Sequence, residues 1–237
     1  MKQIVFLFLA FVAISAKGQS KVIDANTTVR SINGAFTEVS VATGVELHLT
    51  QGNETSLSVS VSDAKYADRF KTEVVNGVLK IYYDSKNLNW KDEKGRKLKA
   101  YLSVKTLEKL TASSGANVVV ENTLTVNTFR MKLSSGSTFK GDVKTSDLDI
   151  EQSSGSLVNI SGNAGNLKVD VSSGSGFKGY DLTSENCKAK ASSGAGIKIS
   201  INKELDASAS SGGDIKYKGN ASITNLNVSS GGSVKKG

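Results

Sequence analysis

The triplet Ser-Ser-Gly begins at Ser113, Ser134, Ser153, Ser172, Ser192, Ser210 and Ser229, with spacings of 21, 19, 19, 20, 18 and 19 residues. A propeller blade needs about 40 residues and four strands, so a unit of this length is too short for one. One coil of a stacked solenoid is the right size, and the drift in spacing then belongs to one variable side.

Alignment on the first serine exposes columns. Three positions before it stand Leu110, Met131, Ile150, Val169, Ala189, Ala207 and Leu226. One before it stand Ala112, Leu133, Gln152, Val171, Ala191, Ala209 and Val228. Five before it come Glu108, Phe129, Leu148, Leu167, Cys187, Leu205 and Thr224, apolar except at the two ends. The residues between these columns are mostly polar, and alternation of period two is the pattern of a strand with one buried face. The third residue after the first serine is always small, from Ala116 and Ser137 to Gly213 and Gly232. Two further on, Val118, Phe139, Val158, Phe177, Ile197, Ile215 and Val234 start a second inward column.

Each repeat is therefore read as strand, sharp corner, second strand and a variable return of about eight to eleven residues. The glycine supplies positive φ at the corner, and stacked serine hydroxyls are expected to bond to their neighbours. A single unit has nothing to bury its apolar columns against, whereas stacked units bury them against one another. The expected fold is all-β, a right-handed parallel β-helix of about nineteen residues per coil. Coils about 4.8 Å apart would place the seven corners along roughly 30 Å. The chain has no proline, which leaves every backbone N–H available to the ladders.

Residues 19–107 read as a more irregular β region, ahead of the Ser/Gly-cornered repeats of 108–237. Val39 and Val41, Val45 to Leu49, and Leu57 to Val61 alternate as strands, with Thr43-Gly44 as a degenerate corner. Asn76-Gly77, flanked by Val74-Val75 and Val78-Leu79, predicts a hairpin with a type I′ turn. Trp90 among Lys86, Lys91, Lys94, Arg96, Lys97 and Lys99 predicts an exposed loop.

The chain opens with Lys2, an apolar run from Ile4 to Ile14, and small residues around Lys17, the pattern of a secretory signal peptide over residues 1–18. That run is too short to span a bilayer, so no transmembrane segment is expected in the mature chain. Localisation is expected to be exported: periplasm, outer-membrane surface or extracellular. Loss of Lys2 and Lys17 lowers the formal charge from +8 to +6, spread along the chain. Without a basic arm or an aromatic stacking platform, nucleic acid is not an expected partner. The single Cys187 excludes an internal disulfide and falls in an inward column, so it reads as a buried hydrophobe.

The order of "FTEVSVATGVELHLTQG" (36–52), "VVNGVLKIYY" (74–83), "LKAYLSVKTLEKLTASSGANV" (98–118) and the Ser/Gly corners beyond resembles the family of putative auto-transporter adhesins with a head GIN domain, over about 36–220. The resemblance implies a β-helical, adhesin-like head and carries no catalytic residue.

Seven equivalent serines argue for geometry, because a nucleophile needs one activated serine with a base in reach. The only histidine, His48, sits on the polar side of its strand and reads as solvated. Asp142, Asp149, Asp170, Asp206 and Asp214 are read as occupying different columns, with no shared acidic pair. No catalytic residue, metal site or cofactor is therefore assigned.

The column six residues past each first serine holds Val119, Lys140, Asn159, Lys178, Lys198, Lys216 and Lys235. These lysines are expected to point outward from one face. Lys140, Lys178, Lys198, Lys216 and Lys235, with Trp90, are the candidate ligand-binding residues. The expected function is that of a non-enzymatic adhesin-like or envelope-binding module, with an anionic glycan or a cell-envelope component as partner. Against it stand a solvated lysine face that only discourages aggregation, a polysaccharide-acting β-helix enzyme, and a structural periplasmic spacer.

Overall fold

The computed structural model describes residues 27–88 and 94–237. The signal segment and Trp90 lie outside them. Among the described residues, seventeen strands form one continuous hydrogen-bonded sheet wound into a parallel β-solenoid. Four of them, β11 (Thr138–Gln152), β12 (Leu157–Val171), β13 (Gly176–Ala191) and β14 (Gly196–Ala209), each run from one corner to the next as a single bent strand. The return expected between strands is thus largely ladder as well, as in Asp142↔Ser161 and Thr145↔Ala164. The uneven spacing of the triplets is absorbed there, by register shifts between Asn159 and Ser161, Gly179 and Thr183, and Ser184 and Asn186.

The apolar columns superpose coil on coil. Leu110, Met131, Ile150, Val169, Ala189, Ala207 and Leu226 pair in order, as do Val118, Phe139, Val158, Phe177, Ile197, Ile215 and Val234. Most are buried, and Phe129, Phe139 and Phe177 are among the largest side chains sealed inside. Cys187 is buried in its column between Leu167 and Leu205. The alignment of Thr224 with that column is corrected: Ile223 pairs with Leu205, and the register shifts immediately after it. On the last coil Ile223, Leu226 and Val228 are exposed.

At each corner the glycine takes positive φ as expected, but so does the second serine, from Ser114 at 51° to Ser230 at 46°. The fourth residue then bonds back to the first, as in Ala116 N–H to Ser113 O at 3.1 Å. Positive φ at both central residues marks a type I′ turn. A serine in this region costs about 1–2 kcal/mol. The cost is offset by a hydrogen bond between corners, worth about 0.5–1.5 kcal/mol net. Gly115 N–H donates to Ser135 O, Gly136 to Ser154 O, and so on to Gly212 and Ser230 O, all at 2.9–3.2 Å. Within the triplets Ser172 Oγ donates to Gln152 O of the neighbouring coil at 3.4 Å, and the fully buried bridging hydroxyls at the corners belong to the serine that follows a triplet. Ser137 Oγ donates to Ala112 O at 2.9 Å, and Ser156 N–H donates to Ser175 Oγ at 3.1 Å.

The Thr43-Gly44 corner joins β2 (Glu38–Val41) to β3 (Val45–Gln51), with φ values of 59° and 73°, and Gly44 N–H donates to Ser114 O. This coil lies between two others. On one side are β8 (Lys109–Ala112) and β9 (Asn117–Val120), on the other β6 (Val78–Tyr83) and β7 (Leu98–Val104). Antiparallel β5 (Phe70–Val75) and β4 (Ser56–Val61) close that end against β6 and β7, and β1 (Thr27–Arg30) pairs β4. The Asn76-Gly77 hairpin forms as expected, with φ of 52° and 75°. Arg96, from the basic loop, places its guanidinium over the Tyr83 ring at 4.1 Å and reaches Thr43 O at 3.5 Å. It thereby covers the last acceptor of the corner ladder.

Candidate functional site

The lysine column is built by register. Asn159, Lys178, Lys198, Lys216 and Lys235 are mutual partners on successive coils, so four lysines stand in line. Lys140 shares the column, with Asn159 between it and Lys178. All five lysines are exposed.

Their surroundings differ from those of the lysines on the rows that carry carboxylates. Lys132 pairs with Glu151, Lys168 with Asp149, Lys188 with Asp206, Lys190 with Asp170 and Lys203 with Glu185, at 3.0–3.6 Å. The hydrogen bond that Lys168 donates to the Asp149 carboxylate raises the ammonium above the usual lysine range. Lys203, with Asn202, holds the Glu185 carboxyl below its ordinary value. In the column, Lys216 has Asp214 at 3.9 Å, whereas the ammonium groups of Lys140, Lys178, Lys198 and Lys235 meet no carboxylate among the described residues. Like charges repeating about every 4.8 Å gain from an anion laid along them.

Tyr180 completes this face and was not singled out from the sequence. It sits in the register shift of β13, and its ring lies 4.3 Å from Lys218 Nζ and 5.9 Å from Lys198 Nζ. The repeat of 20 residues between Ser172 and Ser192 was the available signal.

A second feature lies on a different face, where a groove of about 570 Å³ runs across the coils from Thr128 and Arg130 to Glu204, Asp206 and Thr224. Asp147, Asn166 and Asn186 stack along one wall, with Asn166 donating to Asp147 at 2.9 Å and Asn186 to Asn166 at 3.0 Å. Arg130, Asp149, Lys168, Lys188 and Asp206 follow one another along the other wall. The assignment of the aspartates to separate columns is corrected here: Asp149 and Asp206 share one, separated by the two lysines that bind them.

His48 is not a solvated strand residue. Its ring stacks on Tyr101 with centroids 5.0 Å apart, Nε2 lies 2.8 Å from Glu46 Oε1, and Nδ1 faces Glu121 Oε1. The cluster ties β3 to β7 and to the end of β9, with the half-buried ring set between two carboxylates. Burial pushes the Cys187 thiol far above its ordinary range. Among the described residues, no group of three or more histidine, cysteine or carboxylate side chains is arranged to hold a metal ion. Among the same residues, no helix is long and apolar enough to cross a membrane.

The solenoid is similar to crystal structures of bacterial proteins. A putative adhesin from Bacteroides fragilis NCTC 9343 has a TM-score of 0.78 at 18% identity, covering 89% of this chain and 95% of that one. A putative adhesin from Parabacteroides merdae ATCC 43184 has 0.67 at 16%, covering 90% and 97%. A putative lipid binding protein from Parabacteroides distasonis ATCC 8503 has 0.57 at 18%, covering 90% and 98%. At such identities the likeness establishes the shared fold. No curated protein matches the sequence. Residues 35–221, most of the chain and nearly all of its coils, match the family described as "Putative auto-transporter adhesin, head GIN domain", and the chain belongs to that family.

Proposed function

We propose that the protein is an exported, non-enzymatic adhesin-like module of the cell envelope, and that the lysine column is its contact with an anionic glycan or envelope component. The observation that carries this reading is the alignment of Lys178, Lys198, Lys216 and Lys235 on successive coils. Lys216 apart, they meet no carboxylate among the described residues, whereas Lys132, Lys168, Lys188 and Lys190, elsewhere on the coils, each do. A ladder-paired scaffold holds their spacing fixed, so a repetitive polyanion meets several ammonium groups with little loss of backbone freedom. Family membership supports an adhesive role at the cell surface. The carboxylates Asp147, Asp149 and Asp206 are engaged by Asn166, Lys168, Lys188 and Asn225, which supports binding over acid–base chemistry.

The test compares two triple variants with the same change in net charge. Lys178→Glu/Lys198→Glu/Lys216→Glu is expected to abolish retention on polygalacturonate and on envelope fractions. Lys132→Glu/Lys168→Glu/Lys188→Glu, on rows that already carry carboxylates, is expected to retain most of it. Equal losses in the two variants would reduce the effect to net charge and overturn the assignment.

A further inference from the structure

We propose that the groove lined by Asp147, Asn166 and Asn186 binds a neutral, linear polysaccharide laid along the solenoid axis. This site is separate from the lysine column, and its chemistry differs.

The first reason is charge. Arg130, Lys168 and Lys188 face Asp147, Asp149, Asp206 and Glu204 around the groove. Three cations against four carboxylates leave almost no net field, so a polyanion gains nothing here that it gains at the lysine column.

The second reason is the kind of group presented. Asp147, Asn166 and Asn186 form a chained row in which each asparagine donates to the level before it. Such a chain fixes the side chains while leaving acceptor lone pairs, and the second amide hydrogen of each asparagine, directed to solvent. Sugar hydroxyls donate and accept at once and suit a row of this kind. The floor is sheet backbone already spent in the parallel ladders from Thr128 to Glu204. An extended peptide would find there neither a free strand edge nor apolar pockets for alternate side chains.

The third reason is spacing. Successive levels lie about 4.8 Å apart, close to the rise of one hexose in an extended chain. Arg130, at the first level of the groove, and Glu204, one level short of Thr224, stand four levels apart, and neither side chain has a partner among the described residues. A free donor and a free acceptor about 19 Å apart mark the two ends of a segment of about five sugar units. Among the described residues no aromatic ring lines the groove, so binding rests on hydrogen bonds summed over levels and grows with chain length.

The experiment titrates the full chain with cellohexaose, xylohexaose and maltohexaose by calorimetry, and with the shorter members of each series. At least one hexaose is expected to bind saturably, with affinity rising up to about five units, the length set by the spacing above. Arg130→Ala/Glu204→Ala, which removes two unpartnered side chains and leaves the fold intact, is expected to weaken that binding about tenfold, the loss of about one hydrogen bond's worth of free energy. Asn166→Leu/Asn186→Leu is expected to abolish it, and Lys178→Glu/Lys198→Glu/Lys216→Glu to leave it unchanged. Saturation by none of the three hexaoses overturns the proposal, as does binding that survives both groove variants or fails only in the lysine variant. Retention on polygalacturonate is read in parallel, so failure of the groove and failure of the lysine column register on different probes.

Discussion

Gly155→Ala isolates the cost of the corner conformation from every steric cost. Gly155 has φ of 71°, and a Cβ built there meets no atom within 4 Å. The substitution therefore removes no contact and creates no clash. What remains is the penalty of an L-residue in the left-handed region, about 1–2 kcal/mol. For a chain of this size, that corresponds to a fall in Tm of roughly 2–8 °C. Gly162 is the contrasting site. Its φ is 110°, and a Cβ would stand 2.1 Å from Val143 O and 2.9 Å from Val143 C, both backbone. Gly162→Ala must displace a ladder strand, and a cost above about 4 kcal/mol is expected, in the range reserved for a named structural fault. Thermal denaturation by circular dichroism compares the two, and amide exchange shows whether the loss stays in the coils around each site. Equal costs at the two positions, or no cost at Gly155, would refute the type I′ account of the corners.

Other consequences follow from single side chains. Gln152 occupies an inward column between Leu133 and Val171, and its Oε1 is buried without a hydrogen-bond partner. Its Nε2 donates to Gly176 O at 3.1 Å, so Gln152→Leu trades that bond against an unmet acceptor and should change stability by no more than about 1 kcal/mol in chemical denaturation; a large loss would contradict the burial reading. His48→Ala removes the partner that Glu46 and Glu121 share, and because both glutamates reach solvent it should cost about 0.5–1.5 kcal/mol. Adding Glu121→Gln should recover part of it, and simple additivity of the two changes in a double-mutant cycle would count against the cluster. Cys187 should be inert to a thiol reagent at mildly alkaline pH in the native protein and react fully in denaturant, because burial raises its pKa. Rapid native-state labelling would contradict its place in the core.

The positions that the sequence disclosed best are those where the period of the repeat and the period of the strand agree. Columns such as Phe139, Val158 and Phe177 repeat once per coil and alternate along it, so both signals name the same residues. The second serine of each triplet was harder to read. Positive φ is assigned readily to glycine and asparagine, and nothing in a serine announces it. The order of the first coils was not legible either. Pairing of β2 with both β6 and β8 is a long-range choice that local alternation does not encode. At the candidate sites the lysine column was visible as a repeat, whereas its lack of partners depended on where carboxylates fall on adjacent coils. Asp147, Asn166 and Asn186 carried a readable signal, an amide or carboxylate six residues before three successive triplets. Tyr180 reaches the lysines only through a register shift, which spacing hints at and three dimensions decide.

The central claim, that a rigid column of uncompensated lysines is the contact surface for an anionic ligand, is tested most directly by measuring affinity for heparin against salt concentration. The full chain is compared with its Lys178→Glu/Lys198→Glu/Lys216→Glu variant. Exposed charges are screened over about 10 Å at 0.1 M salt, so the account predicts wild-type binding that weakens steeply as salt rises and is absent from the variant at every concentration. Binding that is independent of salt, or that the variant reproduces, would contradict it.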